Sequence, residues 1–470
     1  MNVLIILTDE HRFDAVGCNG NPIVKTPNLD QLAAEGVNFH GHTCSSPICT
    51  PARASVLTGK YSRAHGAITV GVKMDPETET LATWLAQAGY RCGLFGKSHL
   101  EGEMTGFNWD NRPHKNYYGF HEAWLSEDNM NGPYLHWIRR EHPRWEAEAW
   151  LQANESFQPD GYGADDEGRL NSVRATKLPV ELTQSAWITR QTERFIRDTV
   201  QSKQPFFAVC SYVPPHHPFT PPEFYAKQYD TAAMPKPRRE VLGYKTPLDV
   251  AGRYTKMPEL SDHELQRMTA HYYALCTMLD DQIGQLLKTV DEVGADEDTL
   301  VIFTSDHGDH LGNYGLVRKS GLLLDDLLRV SMIVRGPGAK GGRICDGLSQ
   351  HEDIVPTVLE LAGVKIPKGI QGRSLAGMMR GDGGGESPRK YSYFEHPAHG
   401  CCGVSDGRHK LSRYPTCDSW VLVDTQEDPM ELKNRMGDAA CADVERRLKD
   451  ELLTWLADMP IKTLPRPVPW

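Results

Sequence analysis

No stretch of this 470-residue chain approaches the roughly 18 consecutive apolar residues that a membrane-spanning helix needs. No basic tract is present either. Lysine and arginine number 51 against 62 aspartate and glutamate, a net charge of −11, which argues against nucleic acid or an anionic membrane as the main partner. The cysteines lack the spacing of a disulfide scaffold, and their number, 11, is odd. The opening Met1-Asn2-Val3-Leu4-Ile5-Ile6-Leu7-Thr8-Asp9 lacks the basic start, long apolar core and small-residue cleavage site of a secretion signal. The expectation is a cytoplasmic protein with reduced thiols. Internal repeats are absent as well. What is present is a globular composition, 39% hydrophobic and 24% charged, long enough for a large core or for unequal domains.

Short apolar runs alternate with helical patterns. Val3 to Leu7, Arg91 to Phe95, Pro205 to Tyr212, Thr299 to Thr304 and Val330 to Arg335 predict strands, the first reading as a buried parallel strand. Between them, Leu29 to Glu35, Thr80 to Ala88, Leu182 to Val200, a long helix from Ser261 to about Val293, and Glu352 to Ala362 predict helices. This alternation predicts an α/β fold: a large doubly wound mixed sheet sandwiched by helices. A glycine-rich linker at 381–385 separates residues 1–380 from a smaller C-terminal α+β subdomain, 387–470, with a short antiparallel sheet and a closing helix from Val444 to Leu456. Residues 101–180 carry Trp109, Trp124, Trp137, Trp145 and Trp150 without a clear period, and predict either a lid-like excursion or a surface insertion.

Polar residues follow the strands where α/β proteins bind ligands: Asp9, Lys97 with His99, His216, and Asp306 with His307. Cys49-Thr50-Pro51-Ala52-Arg53, continuing to Leu57-Thr58-Gly59, places a cysteine four residues before an arginine at a helix start. By itself that is either a reactive thiolate or an ordinary buried cysteine. Lys319 completes the set.

Together these residues resemble the type I sulfatases of the alkaline phosphatase superfamily. The cysteine stretch matches the signature in which the cysteine is oxidised to formylglycine. Further matches follow in family order: Thr26-Pro27-Asn28-Leu29-Asp30, Gly96-Lys97-Ser98-His99, Pro215-His216-His217-Pro218, Ser305-Asp306-His307-Gly308, and Asp428-Pro429-Met430-Glu431 with Asn434. The resemblance implies hydrolysis of a sulfate ester through the formylglycine hydrate of Cys49 and a covalent sulfo-enzyme intermediate. It implies one divalent cation, Ca²⁺, Mn²⁺ or Mg²⁺, on Asp9, Glu10, Asp306, His307 and modified Cys49. Glu10 stands where the family has a second Asp and His307 where it has Asn; the latter is similar to the choline-sulfatase and phosphonate-monoester-hydrolase branch. By the same resemblance Asp306 assists the attacking hydroxyl, Arg53 steadies the hydrate, Lys97 and Lys319 clamp sulfate, and His99 takes a proton in elimination. The leaving alcohol is protonated by His216 or Lys319.

Two other readings compete: a phosphonate monoester hydrolase or phosphodiesterase on the same frame, and a binding protein that has lost catalysis. The expected partners are a formylglycine-generating maturase and a small substrate, namely an aryl sulfate, a sulfated sugar or a choline-sulfate-like ester. Tyr117, Tyr118, Trp124, His396 and His399 are candidates for its wall, and the proline-rich, aromatic-ended tail from Leu464 to Trp470 for contact with a second copy of the chain.

Overall fold

A computed structural model describes residues 1–101, 116–128, 132–149, 173–246, 260–381 and 386–460. Trp109, Trp150, most of the linker and the 464–470 tail lie outside them. The main sheet contains β1 (Asn2–Asp9), β2 (Val37–Phe39), β4 (Arg91–Gly96), β5 (Glu122–Leu125), β6 (Phe206–Pro215), β7 (Thr299–Ser305), β8 (Met332–Arg335) and β9 (Arg343–Cys345). Their order across the sheet is β5-β4-β6-β1-β7-β8-β2-β9. The pairs from β5 through β7 are parallel, while β8 runs antiparallel to both β7 and β2, so the sheet is mixed.

The branched residues of β1 are buried on both faces because helices cover both. Val3 and Ile5 join one core with Leu94, Val209 and Val355; Leu4 and Ile6 join the other with Phe95, Ala208 and Phe303. Helices Cys49–Thr58, Leu81–Gln87 and Ile354–Leu361 contribute to the first core, and Pro27–Glu35, Gln184–Gln201 and Asp262–Glu292 to the second. The long Asp262–Glu292 helix starts on a capping box: Ser261 Oγ accepts from Glu264 N at 3.2 Å and Ser261 N donates to Glu264 Oε2 at 2.7 Å. The Thr26-Pro27-Asn28-Leu29 match belongs to this packing. Asp280 accepts hydrogen bonds from Asn28 N at 2.9 Å, Asn28 Nδ2 at 2.8 Å and Leu29 N at 2.8 Å, tying two helices together.

The C-terminal subdomain is a meander of β11 (Ser392–His396), β12 (Cys401–Ser405), β13 (His409–Tyr414) and β14 (Ser419–Asp424), all antiparallel. The Ala442–Asp458 helix covers it through Leu448, Leu452 and Trp455. A two-stranded ladder of β3 (His42–Thr43) and β10 (Ser349–Gln350) completes the sheets among the described residues.

Three expectations change. The irregular 101–180 stretch supplies the edge strand β5 and a helix, Pro133–Glu141, whose Tyr134, Leu135 and Ile138 enter the core. A four-residue strand and one short amphipathic helix are too brief to impose a period on that sequence. Strand β12 was not anticipated, because Cys401-Cys402-Gly403 carries neither branched residues nor alternation. Tyr117 and Tyr118 are buried core residues, edge-to-face at 4.8 Å, and Trp124 packs against Trp187 at 6.2 Å, so these rings serve the fold.

Candidate active site

The carboxyl ends of β4, β6, β1 and β7 are adjacent and share one rim, so their next residues converge. Asp9 ends β1, Lys97 follows Gly96, His216 follows Pro215, and Asp306 follows Ser305. Gly96 is obligatory at this edge. Its φ is +100°, and a Cβ there would lie 1.9 Å from Ser211 O. Onto the rim the Cys49–Thr58 helix presents Cys49 in its first turn, one residue past the extended Ile48, with Arg53 one turn further.

Cys49, Asp9, Asp306 and His307 bring one donor atom each within 4.8 Å of one another, all from buried residues. Cys49 Sγ lies 3.1 Å from Lys319 Nζ, 3.3 Å from His307 Nε2 and 3.7 Å from Asp9 Oδ1. Burial and Asp9 push the thiol up, yet Lys319, Lys97 and His307 outweigh them and hold it well below its ordinary range. Arg53 sits beneath this group. It donates to Asp306 Oδ2 at 2.8 Å, Asp9 Oδ2 at 3.0 Å, Ser211 Oγ at 2.7 Å and Lys97 O at 3.1 Å. Its guanidinium therefore aligns two carboxylates, and it also attracts the Cys49 thiolate directly.

Lys97 is fully buried, with Nζ 2.6 Å from Asp9 Oδ2 and 2.8 Å from Asp128 Oδ2. Burial disfavours its charge, but Asp128 and Asp9 more than compensate and raise its pKa. Glu10 has a left-handed backbone, φ 59°, and belongs to a second group with His216 and His217. Its carboxylate meets Lys319 Nζ at 2.7 Å, His217 Nδ1 at 3.3 Å and His216 Nε2 at 3.6 Å. The structure thus sets Glu10 beside the four-residue donor group, with its charge met by Lys319. His99, also left-handed at φ 54°, forms a third group with Glu127 and Asp128, which Lys97 connects to the first.

Ten residues named from the sequence therefore lie in three linked groups on one rim: Asp9, Glu10, Cys49, Arg53, Lys97, His99, His216, Asp306, His307 and Lys319. Asp128, Glu127, His217 and Ser211 join them without having been singled out as site residues. Asp128 comes from a loop beyond β5 with no motif around it. Ser211 lies inside a buried strand, where a hydroxyl reads as packing. His217 alone had a signal, since it sits within the Pro215-His216-His217-Pro218 match. The His396 and His399 rings lie 4.3 Å apart, tilted by 33°, in the C-terminal subdomain, where Glu395 N donates to Ser45 O at 2.8 Å, four residues before Cys49 in the chain.

A family model described as Sulfatase matches residues 1–364, and one described as N-sulphoglucosamine sulphohydrolase, C-terminal, matches 312–458. The arylsulfatase of Clostridium perfringens is 29% identical over 92% of this chain and 89% of its own length. The multifunctional alkaline phosphatase superfamily protein PehA of Trinickia caryophylli is 28% identical over 98% and 96%. Among solved structures, the phosphonate monoester hydrolase of Agrobacterium radiobacter superimposes with a TM-score of 0.81 at 26% identity, covering 98% of this chain and 97% of that one. With the family model spanning most of its length, this chain belongs to the sulfatase family, the sulfuric ester hydrolases of the alkaline phosphatase superfamily.

Proposed function

We propose that the chain hydrolyses a sulfate ester to an alcohol and inorganic sulfate after Cys49 has been oxidised to formylglycine by a maturase. The observation that carries this reading is the aim of one side chain: Cys49 Sγ points into a buried group of two carboxylates, an imidazole and an ammonium. The donor set fits a divalent cation. Burial and the adjacent Asp9 raise the Asp306 carboxyl to about 6. His307 is buried, yet Asp306 and Cys49 raise it to about 9. Protons here offset negative charge that a cation would offset better. Asp9, Asp306, His307 and position 49 would hold the ion, and two carboxylates with one imidazole suit Mn²⁺ as well as Ca²⁺ or Mg²⁺. When bound, it supplies Lewis acidity at the nucleophile and at the sulfuryl oxygens.

A thiol would accept a sulfuryl group but has no second group with which to expel it. An aldehyde hydrate has two hydroxyls. One attacks sulfur, assisted by Asp306, and the S–O bond to the alcohol breaks. His216 or Lys319, 3.4 Å apart, protonates the departing oxygen. The sulfo-enzyme ester on residue 49 then collapses. His99 takes the proton of the second hydroxyl, the C–O bond to sulfate breaks, and the aldehyde is rehydrated by water. Lys97 and Lys319 hold the sulfuryl oxygens, and Arg53 keeps Asp9 and Asp306 aligned. Glu10 holds Lys319.

Substrates of this site are an aryl sulfate, a sulfated sugar or a choline-sulfate-like ester, in a cytoplasmic protein that meets its maturase there. A second reading, phosphonate monoester hydrolysis, is favoured by His307 in the Asn position and by the likeness to the Agrobacterium enzyme. The ratio of kcat/KM for an aryl sulfate to that for the matching aryl phosphonate, measured on matured protein, decides between them. The expected ratio exceeds one; a phosphonate preference of orders of magnitude overturns the sulfatase reading.

A further inference from the structure

The Asp428-Pro429-Met430-Glu431 stretch with Asn434 was singled out in the sequence, yet none of its residues reaches the rim. Its contacts give it another task. Asn434 fastens the stretch to β14, with Oδ1 accepting from Leu422 N at 3.0 Å and Nδ2 donating to Trp420 O at 2.9 Å. Glu431 is left-handed, φ 53°, and only 1% exposed. A buried carboxylate on a strained backbone needs partners. Asp325 N donates to Glu431 Oε2 at 2.9 Å, and Lys410 Nζ pairs with Glu431 Oε1 while also meeting Asp325 Oδ1 at 2.5 Å. One residue earlier, Met430 O accepts from Tyr314 OH at 3.2 Å.

Tyr314 and Asp325 bracket the segment that carries Lys319. Between them, Leu323 N donates to Tyr414 OH at 3.0 Å, and Leu316, Leu322, Leu323 and Leu324 pack with Phe394, Tyr414 and Val421 of the C-terminal sheet. The Lys319 segment is therefore gripped near both ends by the C-terminal subdomain. Its ammonium projects back across to Cys49 Sγ at 3.1 Å and Glu10 Oε1 at 2.7 Å.

We infer that Glu431, together with Lys410, is a positioning residue that sets Lys319 against position 49. This rests on the role given to Lys319 above. Glu431 touches neither substrate nor nucleophile. It fixes the backbone from which the clamping ammonium extends, and small displacements of such a group are costly to catalysis.

The test compares Lys319→Ala, Glu431→Gln and the double variant in matured protein, with kcat and KM for an aryl sulfate and a thermal melt for each. Glu431→Gln is expected to raise KM and to lower kcat/KM by about 10- to 100-fold. In the Lys319→Ala background it is expected to add no further loss. A residue that merely stabilises the fold would lower the active fraction, hence kcat, at unchanged KM, and would cost the same factor in both backgrounds. Either result overturns the inference. Full activity in Lys319→Ala instead overturns the role of Lys319 itself, and the inference with it, so the two failures are distinguishable. If Glu431→Gln does not fold, Glu431→Leu with Lys410→Met removes the buried pair as a unit; the same rise in KM and the same loss of effect without Lys319 are expected, and additivity contradicts.

Discussion

Lys97 is held between two carboxylates, Asp9 on β1 and Asp128 beyond β5, with no exposed side-chain surface. Removing its charge strands both acids in a low-dielectric site. Lys97→Met is expected to cost about 3–5 kcal/mol of stability, the range for breaking a buried pair from one side. Adding Asp128→Asn should recover part of it, because one stranded charge is gone. Turnover should recover in neither variant, since the sulfuryl clamp is absent from both. Urea unfolding beside kcat/KM separates the two effects, and recovery of turnover in the double variant would contradict the role given to Lys97. His307 supplies the nitrogen in an otherwise oxygen-rich donor set. After chelation and reconstitution, the ratio of activity with Mn²⁺ to activity with Ca²⁺ should fall in His307→Asn, because an amide oxygen favours the harder ion. An unchanged ratio would remove His307 from the donor set. These residues were legible from motifs because each follows directly on a short strand of the sheet. Asp128 was not, since an acid in an unpatterned loop carries no mark of the lysine it meets in space.

At the scale of elements, strong local signals became structure and weak ones did not announce themselves. Val3 to Leu7 and Leu300 to Phe303 are branched runs buried on both faces, and they form β1 and β7 as their pattern required. Ser261 with Glu264 caps the long helix because its hydroxyl and the Glu264 carboxylate satisfy end groups reciprocally. The three-residue β9 and the edge strand β5 are fixed by neighbours in the sheet, a tertiary cause that a short sequence window does not carry. The helix that carries Cys49 begins at that residue, where Pro51 is compatible with a first turn that needs no N–H donor. Asp280 shows that a motif can serve packing alone. Asp280→Ala leaves the N–H groups of Asn28 and Leu29 without their acceptor and should cost about 1–2 kcal/mol, by analogy with a lost helix cap. Equal kcat/KM at a lowered melting temperature is the expected outcome; a large loss of kcat/KM with the fold intact would tie this motif to chemistry.

Across the whole molecule, the C-terminal sheet and the α/β domain share apolar clusters: Leu316, Leu322 and Leu328 pack with Phe394, Tyr414 and Val423, and Tyr61 packs with Val404, Leu411 and Trp455. Calorimetry should therefore record a single cooperative transition, and two separated transitions would contradict that coupling. The net charge of −11 does not by itself oppose an anionic substrate, because Arg53, Lys97 and Lys319 interleave with the carboxylates of the one rim where four strands end, and a bound divalent cation would tip that local balance toward positive charge. No helix among the described residues is long and apolar enough to cross a membrane. The chemistry of the whole site depends on what position 49 becomes. The most direct test is mass spectrometry of the peptide spanning Cys49 from protein produced with a maturase, with turnover of an aryl sulfate measured on the same sample and on Cys49→Ala. The expected result is conversion of the thiol to an aldehyde, activity in proportion to the converted fraction, and a folded but inactive Cys49→Ala. Full activity with an unconverted thiol, or in Cys49→Ala, would contradict it.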